Sequence, residues 1–300
     1  MNNKSPMIAL MGNPNSGKTA IFNLLTGMNQ KVSNYPGITV EQRRGNAQLS
    51  EDFTVQLMDM PGTYSLTPES LDEKIVAQQT LNWQKGIEKP SAIISVVDAT
   101  NLSRNLYLTS QVLELGIPVI IVLNMMDRVQ RKKQKIDIQR LQKVLGVTTI
   151  VPMSAREKWG IDELQTELIN VLKTEVMEPS SYLKIKIPNN VNDGITPISE
   201  FIKGKSNWNQ YITAIQTLRI ITRKSAFELY CECENLSESE INSLTLLRDK
   251  VVIDLDGLDL NHRILESTLR YEMLDKLLKE NDFVNIEFDY LSRYHFNRNE

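Results

Sequence analysis

Gly12-Asn13-Pro14-Asn15-Ser16-Gly17-Lys18-Thr19 decides the reading of this 300-residue chain. It fits G-x-x-x-x-G-K-[ST], the pattern of a phosphate-binding loop. The apolar run Met7-Ile8-Ala9-Leu10-Met11 precedes it, and a stretch with Ile21, Leu24, Leu25 and Met28 on one helical face follows. Strand, glycine loop and helix are the context that the motif requires. Gly12 and Gly17 let the backbone turn tightly and bring its N–H groups toward phosphate oxygens. The start of the helix adds a partial positive charge. In that geometry Lys18 reaches the β- and γ-phosphates and the Thr19 hydroxyl ligates Mg²⁺. The competing reading is a plain glycine turn between a strand and a helix.

Composition bounds the rest. Three hundred residues suffice for two domains and a substantial core. The net charge of −3 gives no footprint for non-specific nucleic-acid binding. Cys231 and Cys233 flank a single residue, too close for a relaxed disulfide, and have no second Cys/His pair to complete a metal site. They read as ordinary helix residues. Gly12 and Pro14 interrupt the N-terminal apolar stretch before signal-peptide length, and no run approaches a membrane span. The expectation is a soluble, cytoplasmic polypeptide.

Downstream, Pro36-Gly37 marks a loop in Lys31–Glu41, and Thr39 is a candidate second Mg²⁺ ligand from a loop that orders around the γ-phosphate. Phe53–Met58 alternates like a strand and ends in Asp59-Met60-Pro61-Gly62. In this D-x-x-G pattern Asp59 would hold Mg²⁺ and the Gly62 N–H would meet the γ-phosphate. Ser91–Asp98 and Pro118–Leu123 read as buried parallel strands, separated by a helix over about Leu102–Leu115. The second strand runs into Asn124-Met125-Met126-Asp127. A carboxylate at Asp127 accepts from both N1–H and the 2-amino group of guanine, whereas adenine offers neither donor and would leave a buried acid unpaired. Asn124 would brace the loops. Arg128–Lys135 is strongly basic and reads as a solvated helix start. A helix near Ile136–Leu145, a strand over Val147–Pro152 and the turn Ser154-Ala155-Arg156 follow, the last aiming the Ala155 N–H at guanine O6. A helix over Gly160–Lys173 closes the unit. Alternating strands and helices with motifs at the strand ends predict an α/β fold with its ligand in the loop crevice.

Glu178-Pro179-Ser180-Ser181 reads as a boundary. Beyond it, Tyr211, Ile212, Ile215 and Leu218 form one helical face, and Leu260, Ile264, Tyr271, Leu274 and Leu278 another. The expected division is a nucleotide-binding domain over 1–176, a small all-α domain over 182–281, and a tail over 282–300 with no clear period. Five glutamates in Ser225–Glu240 read as solvated helix ends.

The motifs also carry a family resemblance. Residues 12–19, Asn34-Tyr35-Pro36-Gly37-Ile38-Thr39-Val40-Glu41 and Asp59-Met60-Pro61-Gly62-Thr63-Tyr64-Ser65-Leu66 resemble FeoB, the bacterial ferrous-iron transport protein B family. So does Val97-Asp98-Ala99-Thr100-Asn101-Leu102-Ser103-Arg104-Asn105-Leu106-Tyr107-Leu108, ahead of Asn124-Met125-Met126-Asp127. The likeness is specific to about residue 173 and looser, by architecture, to about 280. It implies a P-loop GTPase (Ras-like) fold with a mostly parallel sheet, then a helical domain that strengthens GDP binding. In the family a membrane-embedded region carrying Fe²⁺ follows, so this chain would stand at the cytoplasmic face of the bacterial inner membrane. A homo-oligomer is compatible with the sequence. No tight Fe²⁺ site is expected among Cys231, Cys233, His262 and His295.

The resemblance also implies a slow GTPase without the water-orienting glutamine, since Thr63 follows Gly62. Related enzymes use K⁺ instead, held by a phosphate-loop asparagine, matched here by Asn15, and by loop carbonyls, matched by Asn34 and Tyr35. Ser33 and Tyr35 depart from the family's usual glycine and tryptophan.

The expected catalytic group is Asn15, Lys18, Thr39 and Gly62. The expected nucleotide contacts are residues 12–19, Gly37, Ile38, Thr39, Asp59, Gly62, Asn124, Met125, Asp127, Ser154, Ala155 and Arg156. Mg²⁺ would lie at Thr19, Thr39 and Asp59, and K⁺ at Asn15. Three rivals stay open: a GTP/GDP switch module with negligible catalysis, a translation-factor-like or RNA-associated GTPase, which the acidic balance opposes, and an ATPase, which Asp127 opposes.

Overall fold

A computed structural model describes residues 5–28, 30–35, 40–147, 149–174, 183–258 and 260–281. The expectations for Gly37, Ile38 and Thr39, the boundary at Glu178–Ser181 and the tail over 282–300 lie outside those residues.

The first half alternates strands and helices. In chain order these are β1 (Met7–Gly12), α1 (Lys18–Thr26), β2 (Gln30–Asn34), β3 (Glu41–Ser50), β4 (Phe53–Asp59), α2 (Leu71–Gln84), β5 (Ala92–Asp98), α3 (Leu102–Leu113), β6 (Val119–Asn124), α4 (Met126–Arg131), α5 (Ile138–Leu145), β7 (Thr149–Pro152) and α6 (Ile161–Lys173). They build one seven-stranded sheet in the order β2-β3-β4-β1-β5-β6-β7. The β4, β1, β5, β6 and β7 strands run parallel, while β3 is antiparallel to both β2 and β4. From β1 the chain reaches first a strand on one side, β4, and later one on the other, β5. The reversal opens a crevice at the carboxyl end of β1, where the glycine loop sits.

The apolar run of β5 explains its central place. Ile94 and Val96 face a core shared with Ile21, Phe22 and Leu25 of α1 and Leu164 and Leu168 of α6, while Ile93 and Val97 face Leu106 and Val112 of α3 on the other side. A strand buried on both faces needs an unbroken hydrophobic run. Met28 does not join this packing. It lies past the end of α1 at φ 66 and is 71% exposed, because the left-handed Gly27 cap ends the helix first.

The second half is helical: α7 (Asn189–Lys203), α8 (Gln210–Thr222), α9 (Lys224–Cys233), α10 (Glu238–Asp256), a 3-10 turn at His262–Ile264 and α11 (Leu265–Asn281). A capping box between Ser237 and Glu240 starts α10. Glu232 pairs with Lys74 of α2 and Glu234 with Lys85 just after it, so those two acids of the Ser225–Glu240 run face lysines rather than water alone. Cys231 and Cys233 are free and lie on α9. Ile264 departs from its expected helical face. It sits in the 3-10 turn and is half exposed, and Leu265 and Leu269 join the α7–α10 core in its place.

Leu183, Leu274 and Leu278 pack into the α3 side of the sheet core. Alongside them runs a buried charged seam. Glu114, after α3, accepts from Arg219 of α8 at 3.0 Å, Arg270 of α11 at 2.9 Å and the Tyr211 hydroxyl at 3.0 Å. Glu266 accepts from Arg270 Nε at 2.8 Å and the Tyr107 hydroxyl at 2.8 Å. Burial works against the charge on Glu266, but the Arg270 and Arg219 guanidiniums hold its carboxyl below the usual range.

Candidate functional site

The glycine loop runs from β1 into the first turn of α1. Gly17 has φ +89, and a Cβ there would collide with Asn124 Nδ2. A Cβ on Gly12 would stand 2.7 Å from the Val96 carbonyl. Gly17 therefore needs glycine for conformation and for space, and Gly12 for space. Asn15 is exposed at φ 64, a left-handed conformation that asparagine tolerates better than most residues. Asn13 and Ser16 are buried. Asn13 Nδ2 donates to the Arg104 carbonyl at 3.3 Å, while Asn13 Oδ1 and Ser16 Oγ have no partner among the described residues.

Asp59, at the end of β4, meets α1 here. Its Oδ1 pairs with Lys18 Nζ, both side chains being buried, and its Oδ2 lies 3.5 Å from Thr19 Oγ1. Burial pushes the Lys18 ammonium below its usual range, against the pull of Asp59. The loop after Asp59 is laced to the glycine loop: Met60 N donates to the Leu10 carbonyl at 3.1 Å and Thr63 N to the Gly12 carbonyl at 3.3 Å. A Cβ on Gly62 would lie 3.2 Å from Pro14 Cα, so the two loops touch. Thr63, standing where a glutamine would orient water, is buried, and its hydroxyl donates to the Ser65 carbonyl at 2.7 Å. Tyr35 is buried against Met60, which brings the end of β2 to the same cluster. Burial raises its phenol to about 12.

At the other end of the crevice, β6 delivers Asn124 and α4 delivers Asp127. Asn124 Nδ2 donates to the Ser16 carbonyl at 2.8 Å, and its Oδ1 accepts from Ala155 N at 3.0 Å. The Ala155 N–H expected to face a base is thus directed at the buried amide oxygen of Asn124, which would otherwise lack a donor. Met125 turns the chain at φ 64, and Arg156 is exposed. Asp127 is buried, with Ser154 Oγ at 2.9 Å from Oδ1 and Arg131 Nη2 at 2.6 Å from Oδ2.

The contacts join Gly12, Ser16, Gly17, Lys18, Thr19, Asp59, Gly62, Asn124, Asp127, Ser154 and Ala155, while Asn15 and Arg156 are exposed beside them in sequence. Arg131 is a direct neighbour of this cluster, at Asp127, in a segment that the sequence reading takes as a solvated basic stretch. Its signal was the four-residue spacing from Asp127, which puts both on one helical face. Gln111 also went unremarked. Its Oε1 accepts from the Leu66 N–H at 2.8 Å, and its Nε2 donates to Glu266 at 3.2 Å, joining the loop after Gly62 to the charged seam. Arg104 lies beside both loops, with its guanidinium 4.2 Å from the ring centroid of Tyr64.

A family profile described as ferrous iron transport protein B matches residues 6–168, more than half of the chain. The chain belongs to the FeoB family. Among curated relatives, the Fe(2+) transporter FeoB of Salmonella typhimurium is 46% identical over 166 residues, and that of Legionella pneumophila 43% identical over 165. Each match covers 54% of this chain and 21% of the relative, so the shared part is about a fifth of those FeoB proteins. Solved FeoB structures align over far more of the chain. A mutant S. thermophilus NFeoB bound to GDP superimposes with a TM-score of 0.72 at 31% identity, covering 91% of this chain and 98% of that one. The cytosolic domain of T. maritima FeoB in its GMPPNP form gives 0.68 at 28% identity, covering 92% and 98%. The FeoB likeness makes the fold a P-loop GTPase α/β unit followed by a helical region.

Proposed function

We propose that this chain binds GTP and cleaves it to GDP and phosphate as the nucleotide-handling part of a ferrous-iron transporter. The observation that carries the reading is the convergence of Lys18, Thr19, Asp59, Asn124 and Asp127 in one crevice. FeoB relatives bound to GDP and GMPPNP give it support from outside the chain. Asp127 selects guanine, because an adenine would leave a buried carboxylate without donors. In this reading residues 1–176 are the GTP-binding domain and 182–281 the helical domain. Transport would fall to a membrane-embedded region, with this chain at the cytoplasmic face of the bacterial inner membrane. No helix among the described residues is long and apolar enough to cross a membrane.

Chemically, the chain positions and neutralises. The loop N–H groups and Lys18 would hold the phosphates, the Gly62 N–H would meet the γ-phosphate, and Thr39 would orient the water through its backbone. Lys18 leaves Asp59 for the nucleotide, which frees a carboxylate oxygen beside the Thr19 hydroxyl. That all-oxygen pair suits a hard divalent ion, and Mg²⁺ held by Thr19, Asp59 and Thr39 would neutralise phosphate charge. Ser16 Oγ, buried in the same loop beside Gly12, has no partner among the described residues and is a further polar group open to a polar guest. The Thr63 hydroxyl is engaged by the Ser65 carbonyl and Glu73, and no residue among those described is an evident general base, which fits slow turnover. K⁺ at Asn15 and the Asn34 and Tyr35 carbonyls would supply the missing positive charge. Single-turnover GTP cleavage in K⁺ and in Na⁺, with wild type and Asn15→Ala, tests this. Faster cleavage in K⁺, lost in the variant, is expected. Equal wild-type rates in both salts would sink the K⁺ site, and no cleavage in either would sink the GTPase reading.

The Leu66–Gln111–Glu266 chain favours a second, compatible reading, a switch whose output is the position of the loop after Gly62 relative to the helices.

A further inference from the structure

Asp127 sits inside a closed ring of contacts. Ser154 Oγ donates to Asp127 Oδ1 at 2.9 Å and accepts from the Glu157 N–H at 3.1 Å. Arg131 Nη2 closes the ring from the other side, at 2.6 Å from Asp127 Oδ2 and 3.0 Å from Glu157 Oε1. One guanidinium therefore joins the carboxylate on α4 to the turn that covers the same pocket.

We propose that Arg131 is a positioning residue for base recognition: it fixes the plane of the Asp127 carboxylate and ties it to the Ser154–Glu157 turn, setting both the discrimination of the purine 2-amino group and the residence time of the nucleotide. The proposal rests on the guanine-nucleotide reading above.

A carboxylate offers about four lone-pair sites. Ser154 and Arg131 take one on each oxygen, which leaves one on each for N1–H and the 2-amino group. Arg131 therefore does not block the base. The terminal torsion of an aspartate is broad, and a buried carboxylate held at one oxygen only would be free to tilt. Tilting costs most for a ligand that needs both oxygens at once. GDP is such a ligand, whereas inosine diphosphate, without the 2-amino group, needs only one. A lysine at this position supplies charge without the planar fork that sets an orientation. The Arg131 and Glu157 side chains are 54% and 47% exposed. Their pairing is open to screening by salt, unlike the buried contacts of Asp127.

The test is displacement of fluorescent GDP and inosine diphosphate from the full chain, in low and high NaCl, for wild type, Arg131→Ala, Arg131→Lys and Glu157→Gln. Arg131→Ala should release GDP roughly fivefold faster and lower the GDP-to-inosine-diphosphate affinity ratio roughly threefold, the range open to a half-exposed charged contact. Arg131→Lys should recover part of the residence time but not the ratio. Glu157→Gln should speed release without changing the ratio and abolish the salt dependence seen in wild type. A ratio unchanged in Arg131→Ala, with both nucleotides weakened alike or neither, overturns the assignment while leaving guanine binding intact. A wild-type chain that does not prefer GDP to ADP overturns the guanine reading itself.

Discussion

Gln111→Met is the most informative single change for the link between the loop after Gly62 and the helical half. Gln111 is fully buried, and methionine fills nearly the same volume, so packing is largely kept. Three hydrogen bonds go: those with the Leu66 N–H, the Ser65 hydroxyl and Glu266. Their costs differ. Glu266 loses the Gln111 amide but keeps Arg270 and the Tyr107 hydroxyl, both at 2.8 Å, so its charge stays compensated. The Leu66 N–H loses its acceptor at 2.8 Å in a buried site. Leaving a buried donor unmade costs ~1–3 kcal/mol. About 2 kcal/mol of local stability corresponds to roughly 30-fold faster opening, since 1.36 kcal/mol is tenfold. Hydrogen exchange read by mass spectrometry should show this in the peptide spanning Thr63–Ser70, with β5 amides unchanged. Affinity for GDP should shift in the same variant if the loop and the nucleotide share an equilibrium. Exchange in Thr63–Ser70 within twofold of wild type would refute the reasoning. So would a uniform rise across the chain, which would mean a global effect rather than a released loop.

Arg270→Met leaves Glu114 and Glu266 buried with fewer cations and should cost roughly 3–5 kcal/mol in urea unfolding; a loss under 1 kcal/mol would show that water enters the seam. Gly17→Ala forces a side chain into a left-handed site against Asn124 Nδ2. It should abolish GDP binding in a calorimetric titration, and retained affinity would show that the two loops can part freely. Burial raises the Cys231 thiol to about 11 and also raises Cys233. Both stay protonated at pH 8, so the native protein should react with a disulfide reagent far more slowly than urea-unfolded protein and faster as pH rises toward 10. Equal native and unfolded rates at pH 8 would contradict the burial.

The parts legible in the sequence were those with one dominant physical signal. β5 and β6 are buried on both faces, and a continuous β-branched run has few other homes. The phosphate loop is legible because Gly12 and Gly17 are both required by space, and Gly17 by its left-handed conformation as well. The β2–β3 hairpin was not foreseen. The inward positions of β3 are Gly45, Ala47 and Leu49, two of them too small to raise an alternating pattern, and β2 is mostly exposed. α2 went unremarked because its buried residues, Ile75-Val76-Ala77 and Thr80, Leu81 and Trp83, are split by Gln78, Gln79 and Asn82 and blur the helical period. Beyond the spacing of Arg131 from Asp127, the partners of Arg131 and Gln111 were invisible for a different reason. Each residue acts through a partner brought by another segment, Glu157 in one case and Leu66 with Glu266 in the other. No local pattern encodes such a meeting.

The return of α11 to the sheet core gives the molecule a particular mechanics. The chain leaves the nucleotide half after α6, builds four helices, and comes back to lay Leu274 and Leu278 beside α3. A pull on residue 281 is therefore felt first at the α11–α3 contact, not at the far end of the helical half. Helices α8 and α9 are moored as well, through Arg219 and Tyr211 to Glu114 and through Glu232 to Lys74, and share the load. Removing each of two buried leucines typically costs about 2–5 kcal/mol, so that contact is a firm mooring. Anything hauled by this end of the chain tugs on the helix that carries Gln111.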